Sequence, residues 1–391
     1  MPPAEPPDAD LDAEALIAEA VERTGCDDFG PGPWREGLER LLVAVEGEAR
    51  LSAIGRMTLR MQLLDRLANR LEVRAWLAAH PEVEELEIGA PLVLATLPRT
   101  GQTALGWILD RDPANRSLLT WFARRPAPPP RPEQLASDPR IAAERGRVAL
   151  MPAAVLDMHL YDAEEPDECH WLLSNTLLVP HEIYAMRVPS YYRWVRDESD
   201  MATAYREYAS QLRMLQSSWP GPRWVLKNSP HLLFLEELHA VMPEASYVQV
   251  HRDPMKVLAS NCKLSVILRG LSSERVDPHE VGASMLELLG DYLDGLLRFR
   301  AAGHSRPWID LRFPDFVRDP LAAVERLYAA AGLPLGDEAR AGMSRWVAEH
   351  PRQDLVRAKP ADLSPYGIDP EAARERFAPY VERFGVDYDG V

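Results

Sequence analysis

The chain has 391 residues, 46% of them apolar, and a formal net charge of -16. That length admits one large α/β domain or two domains with a sizeable core, and the charge argues against a nucleic-acid partner but not against one small anionic ligand held by local groups. Three scattered cysteines exclude a disulfide framework and a cysteine zinc site, no run of 18 apolar residues predicts a membrane span, and the acidic, proline-rich start has no signal-peptide pattern, which predicts a cytoplasmic protein.

In chain order, residues 1–12 are expected to be a disordered tail. Residues 13–87 read as a helical N-terminal extension, because Leu41, Leu42 and Val45, then Ile54, Met57, Leu59, Met61 and Leu64, recur at helical spacing. The remaining chain, 88–391, reads as one α/β domain. Its first buried strand falls within 91–97 and ends at Pro98-Arg99-Thr100-Gly101-Gln102-Thr103, after which Leu105, Ile108 and Leu109 mark a helix. Prolines rule out a helix or a central strand across 123–132. Helices with interruptions fill the rest of a 121–220 insertion, most clearly over 201–215. Further strands are predicted at 223–227, 246–250 and 308–311, and helices at 231–241, after Pro254, and at 281–299, 317–331 and 371–384. Strands alternating with helices imply a parallel sheet flanked by helices, a fold that binds ligands at the carboxyl ends of its strands.

Three motifs fall at such ends. The first is a strand-to-helix turn, where free N–H groups and the positive end of the helix dipole attract an anion. Gly101 permits close backbone approach, Thr100, Gln102 and Thr103 supply donors, and Arg99 adds a fork-shaped charge. The turn resembles a Walker A loop but has Gln102 in place of its lysine and Thr96 in place of its first glycine; the plain alternative is a capped turn. In the second motif Lys227 stands at a strand end, either steadying charge on a transferring group or lying along the surface. His231 is either a proton acceptor or a helix-start histidine. In the third, Arg252 follows a strand and Ser260 lies eight residues on, so that one phosphate could receive both. Asp253 and Pro254 read as an N-cap and a first helical residue.

In this order the motifs resemble those of the sulfotransferase family that uses 3′-phosphoadenosine-5′-phosphosulfate (PAPS), in its broad bacterial branch. The family's 5′-phosphosulfate signature, P-[KR]-[ST]-G-T-T, is matched by Pro98 to Thr103 except at Gln102. Its 3′-phosphate signature, R-[DN]-P-x-x-x-x-x-S, is matched by Arg252, Asp253, Pro254 and Ser260. Val225, Lys227, Pro230 and His231 fit an intervening segment, and residues 310–320 and 377–385 resemble later ones. The resemblance covers residues 88–385. It implies a P-loop-like sheet, no metal, the product PAP, and Arg99, Thr100, Gly101, Gln102, Thr103, Arg252 and Ser260 as cofactor-binding residues. Residues 357–367 lack the branch's H-x-Y pattern, and Lys359 is expected to replace its histidine at a phosphate. Animal cytosolic members place a histidine base two residues after the strand-end lysine, where this chain has Ser229.

Sulfuryl transfer by in-line displacement asks for positioning and charge stabilisation, the expected role of Lys227 and Arg99. The hydroxyl or amine of a small-molecule acceptor also needs a base. His231 is one candidate; Glu168 and His170 are the others, against a reading of residues 164–170 as a solvated acidic turn. Residues 121–220 are expected to shape a largely apolar acceptor pocket with Tyr161, Trp171, Tyr184, Tyr191, Tyr192 and Trp194, unless these are ordinary core. The competing readings are a P-loop-type ATP-dependent kinase and a nucleotide-binding protein that has lost turnover. A homodimer stays open.

Overall fold

Five parallel strands form one sheet: β1 (Leu92–Leu94), β2 (Asn115–Ser117), β3 (Arg223–Lys227), β4 (Ser246–His251) and β5 (Trp308–Arg312), in the spatial order β2-β3-β1-β4-β5. The computed structural model describes residues 10–158, 160–304, 308–350 and 361–388. β1, at the centre, is apolar and buried along its whole length because both of its faces are covered. Alternate residues supply opposite layers. Val93, Leu226 and Tyr247 join one apolar cluster, while Leu92, Leu94, Val225, Val248 and Val250 join the other. At the edge, β5 buries Ile309 and Leu311 and exposes Asp310 and Arg312.

The four strands expected from the sequence are present, and β2 is additional. Its residues Asn115, Arg116 and Ser117 are polar, and specific bonds hold them rather than an apolar pattern. Asn115 Nδ2 donates to the Leu109 carbonyl at 2.7 Å and Arg116 Nε to the Pro222 carbonyl at 2.7 Å. The proline-rich loop starts later than expected, since Ala123 and Arg124 close a short helix, Thr120–Arg124. The helix Asp337–Glu349 is also additional.

Helices Ala13–Thr24, Trp34–Ala44 and Ala53–Ala79 precede the sheet. In the longest, Leu59, Leu63, Leu67 and Leu71 are buried at a four-residue spacing, whereas Ile54, Met57 and Met61 lie off that stripe and are 61%, 42% and 52% exposed. Ser52 caps this helix, accepting from Gly55 N at 3.1 Å and donating to the Ser272 carbonyl at 3.2 Å. A side chain at Gly55 would meet that carbonyl at 1.9 Å, so the helix start rests directly on the end of the helix Pro254–Ser272. These N-terminal helices share one apolar cluster with the helices of the insertion and those after β4. Of the expected tail, residues 1–9 lie outside the described residues, as does Lys359; Asp12 caps the first helix. Among the described residues no helix is long and apolar enough to cross a membrane.

Candidate functional site

β3, β1 and β4 are neighbours, so parallel pairing brings the three motifs to one edge of the sheet. The turn after β1 is fastened to β4: Thr96 Oγ1 donates to the Val250 carbonyl at 3.1 Å and accepts from Val250 N at 3.2 Å. Arg99 and Gly101 take left-handed backbone conformations, with φ of 65° and 85°. Gly101 is the N-cap of the helix Gln102–Leu109, and a Cβ there would come within 3.0 Å of the Phe316 ring. Thr100 turns inward, donating to the Leu97 carbonyl at 2.6 Å, so it offers a ligand its backbone N–H rather than its hydroxyl. Thr103 is half-buried at the helix start.

The first and third motifs touch. Arg99 Nε donates to Ser260 Oγ at 3.1 Å, and Arg252 Nη1 donates to the Arg99 carbonyl. The Arg252 guanidinium lies 4.1 Å from the centre of the Phe313 ring, and burial draws the Arg99 pKa down from its ordinary value. Asp253 accepts from Met255 N at 2.8 Å as the cap of the helix that carries Ser260, with Pro254 as its first residue. The two clusters therefore sit against each other at one end of the sheet.

Lys227 is 2% exposed, which removes the surface-lysine reading. Its stem passes over Gly106, where a Cβ would lie 3.3 Å from Lys227 Cδ, so a glycine in the middle of a helix makes room for it. The ammonium is 3.8 Å from Asp167 Oδ1 and 4.0 Å from Glu168 Oε1, with no hydrogen bond. Gln102 is buried, and its Nε2 donates to Ser229 Oγ at 3.0 Å and to Glu168 Oε1 at 3.2 Å. Glu168 Oε2 lies 3.7 Å from His170 Nδ1, and the His170 ring is 4.5 Å from that of His181. Residues 164–170 are thus no solvated turn, since Asp167 and Glu168 face inward. His231 is fully buried; its Nδ1 engages the Tyr205 hydroxyl at 2.7 Å, and burial holds its pKa at about 3.

Among the described residues, buried side-chain atoms without a hydrogen-bond partner include Gln102 Oε1, Lys227 Nζ, both amide atoms of Asn228, His231 Nε2 and Asn261 Oδ1. Leaving so many unpaired costs stability unless a ligand or water completes them. Lys227 Nζ and Asn228 Nδ2 are donors and three of the others are amide oxygens; together with Arg99 and Arg252, the donors suit the phosphate and sulfate oxygens of a nucleotide and the amide oxygens suit its hydroxyl and amino groups. Asp167, Asn228 and Asn261 were not singled out by the motifs, although each is adjacent in sequence to a residue that was. Of the aromatics, Tyr191, Tyr192 and Trp194 are core. Trp171 and Tyr184 are half-buried beside the site: Trp171 Nε1 donates to Asp167 Oδ2 at 2.7 Å, and the Tyr184 pKa is raised by burial and by the charge of Glu168.

Comparison with known proteins points the same way. Residues 91–337 match the model of the sulfotransferase family. The fold is similar to the crystal structure of sulfotransferase STF9 from Mycobacterium avium, with 31% identity, a TM-score of 0.91, and 98% of this chain and 99% of that one covered. It is also similar to sulfotransferase STF1 from Mycobacterium tuberculosis H37Rv, with 30% identity, a TM-score of 0.82, and 95% and 99% covered. No match was found among curated proteins.

Proposed function

The chain belongs to the sulfotransferase family, and from that premise we propose that it moves a sulfuryl group from PAPS to a hydroxyl or amine of a small, largely apolar acceptor, releasing PAP. The observation that carries this reading is the contact between the two phosphate motifs, Arg99 to Ser260 at 3.1 Å, with Arg252 on the Arg99 carbonyl. One nucleotide with phosphates at both ends of its ribose would be gripped by both.

PAPS supplies an activated sulfuryl group whose bond to the nucleotide phosphate breaks as the acceptor's bond to sulfur forms. Lys227, buried and without a hydrogen bond, would stabilise charge on the departing phosphate oxygen, with Arg99 as a second cation of the site. Glu168 receives the acceptor's proton, and His170, 3.7 Å behind it, is where that proton can go next. His231 is the weaker base, because a nitrogen held at about 3 has little affinity for a proton at neutral pH. On this reading Glu168, Trp171 and Tyr184 of the insertion form the acceptor side of the site.

The ATP-dependent kinase reading lacks its P-loop lysine, since the amide at Gln102 is bonded to Ser229 and Glu168. Calorimetry with PAP, ADP and ATP separates the two readings. PAP should bind most tightly, and transfer from PAPS should persist in EDTA. Lys227→Ala should lower turnover by roughly 10²–10³-fold while PAP affinity stays within a few-fold. Preferential ATP binding, or normal turnover of Lys227→Ala, would overturn the assignment.

A further inference from the structure

A cavity of about 340 Å³ opens where the helix Ala53–Ala79 meets three helices of the insertion, Thr120–Arg124, Pro139–Ala149 and His170–Ser174. Five guanidiniums line it (Arg66, Arg124, Arg125, Arg140 and Arg147) against two carboxylates, Asp65 and Glu144. In a chain of net charge -16 that local excess is against the trend.

The ion pairing leaves the cations short. Arg66 has its own partner in Glu182 at 2.5 Å, and Arg140 has Asp138 at 2.8 Å. Asp65, however, is shared by Arg23 at 3.3 Å, Arg147 at 3.3 Å and Arg125 at 3.8 Å. Glu144 is shared by Arg124 at 3.3 Å, Arg147 at 3.7 Å and the Tyr161 hydroxyl at 3.0 Å. Two buried lining residues keep an N–H without a partner: Arg66, at Nη1, and Trp121, at Nε1.

Two of the guanidiniums lie over indoles. Arg124 is 4.1 Å from the centre of Trp171, and Arg140 is 4.9 Å from that of Trp121. Stacking fixes the plane of each guanidinium. Arg140 spends its N–H groups on Asp138 and on the Arg125 and Pro128 carbonyls, whereas Arg124 meets Glu144 through Nε at 3.3 Å and keeps its Nη groups for an oxyanion, and the indoles offer flat apolar surface. The volume suits a one- or two-ring molecule.

We propose that this cavity is a second binding site, separate from the nucleotide cleft, for a small organic anion: an oxyanion head on a flat or apolar body. Its wall is shared with the first site, since Trp171 Nε1 bonds Asp167 Oδ2 at 2.7 Å and Asp167 Oδ1 stands 3.8 Å from Lys227 Nζ.

The test titrates 2-naphthalenesulfonate into the full chain by calorimetry, with and without saturating PAP, using neutral 2-naphthamide as the control. Saturable binding that persists with PAP, falls with salt, and exceeds that of the amide by about ten-fold or more is expected. Arg124→Gln with Arg147→Gln should weaken it by at least about ten-fold and leave PAP affinity unchanged. Ala143→Phe, which crowds the lining without removing an ion pair, should weaken it as well. No binding to the wild type, loss of binding on adding PAP, or full binding in both variants would overturn the proposal. Should PAP itself fail to bind, the comparison of wild type with variants still reports on this cavity alone.

Discussion

Replacing His231 by asparagine should make the protein's stability less sensitive to acid. In the folded chain this imidazole is 0% exposed, its Nδ1 engages Tyr205 at 2.7 Å, and burial holds its pKa at about 3. In the unfolded chain it returns to about 6.5. The folded value is the lower one, so the residue's stabilising contribution is full above about pH 6.5 and is lost as the pH falls toward about 3. Between about pH 7.5 and about pH 5 the unfolded chain gains most of a proton at this residue and the folded chain almost none. Unfolding therefore becomes easier by about 2 kcal/mol over that interval.

Urea denaturation of both proteins at both pH values isolates this quantity. The wild type should lose about 2 kcal/mol more than His231→Asn, whatever the variant's stability at neutral pH. The difference between proteins is what counts, because His181, depressed by burial and by neighbouring His170, titrates in both. Parallel curves of stability against pH would refute the reasoning, since they would mean that water or a conformational opening lets His231 charge in place.

Two further outcomes are expected. Glu168→Gln should lower sulfuryl transfer by roughly 10²-fold or more, because the amide can still accept from Gln102 but cannot take a proton; steady-state rates alongside PAP calorimetry would check it, with PAP affinity staying within a few-fold. Gly101→Ala should cost about 1–2 kcal/mol in urea unfolding, because φ of 85° is unfavourable for a residue with a Cβ, and the methyl would sit 3.0 Å from the Phe316 ring; PAP affinity should fall with it.

The strands at 91–97, 223–227, 246–250 and 308–311 were legible because each is a short apolar run cut off by a turn, and the parallel sheet follows from their alternation with helices. β2 was not, since Asn115-Arg116-Ser117 is held by individual polar bonds. The exposure of Ile54, Met57 and Met61 was hidden for a different reason. On a long helix several apolar stripes can be drawn from spacing, and only the partner surface decides which one is buried. In the candidate site, Arg99, Gly101, Arg252 and Ser260 were singled out by motifs of fixed local order, and the fold brings the two motifs into contact, Arg99 against Ser260 at 3.1 Å. Lys227 was ambiguous from sequence, since nothing local reveals that Gly106 makes space for its stem or that Asp167 and Glu168 close over it. The arginine-lined cavity was invisible, because its lining comes from four separate helices.

The two departures from the family pattern at positions 102 and 229 are one feature in space. A threonine at 102 and a histidine at 229 would give the turn a short hydroxyl and the β3 end a base. This chain instead has a longer amide and a short hydroxyl, and they bond to each other at 3.0 Å. The same amide nitrogen reaches Glu168 Oε1 at 3.2 Å, a span a threonine side chain is too short to make. Gln102 thus ties the phosphate turn to the end of β3 and to the carboxylate that the insertion delivers. Each substitution viewed alone looks like a loss: a missing phosphate donor, a missing base. Together they place a carboxylate 4.0 Å from the Lys227 ammonium, so that on the mechanism proposed above the proton-accepting role passes from the β3 end to the insertion rather than disappearing.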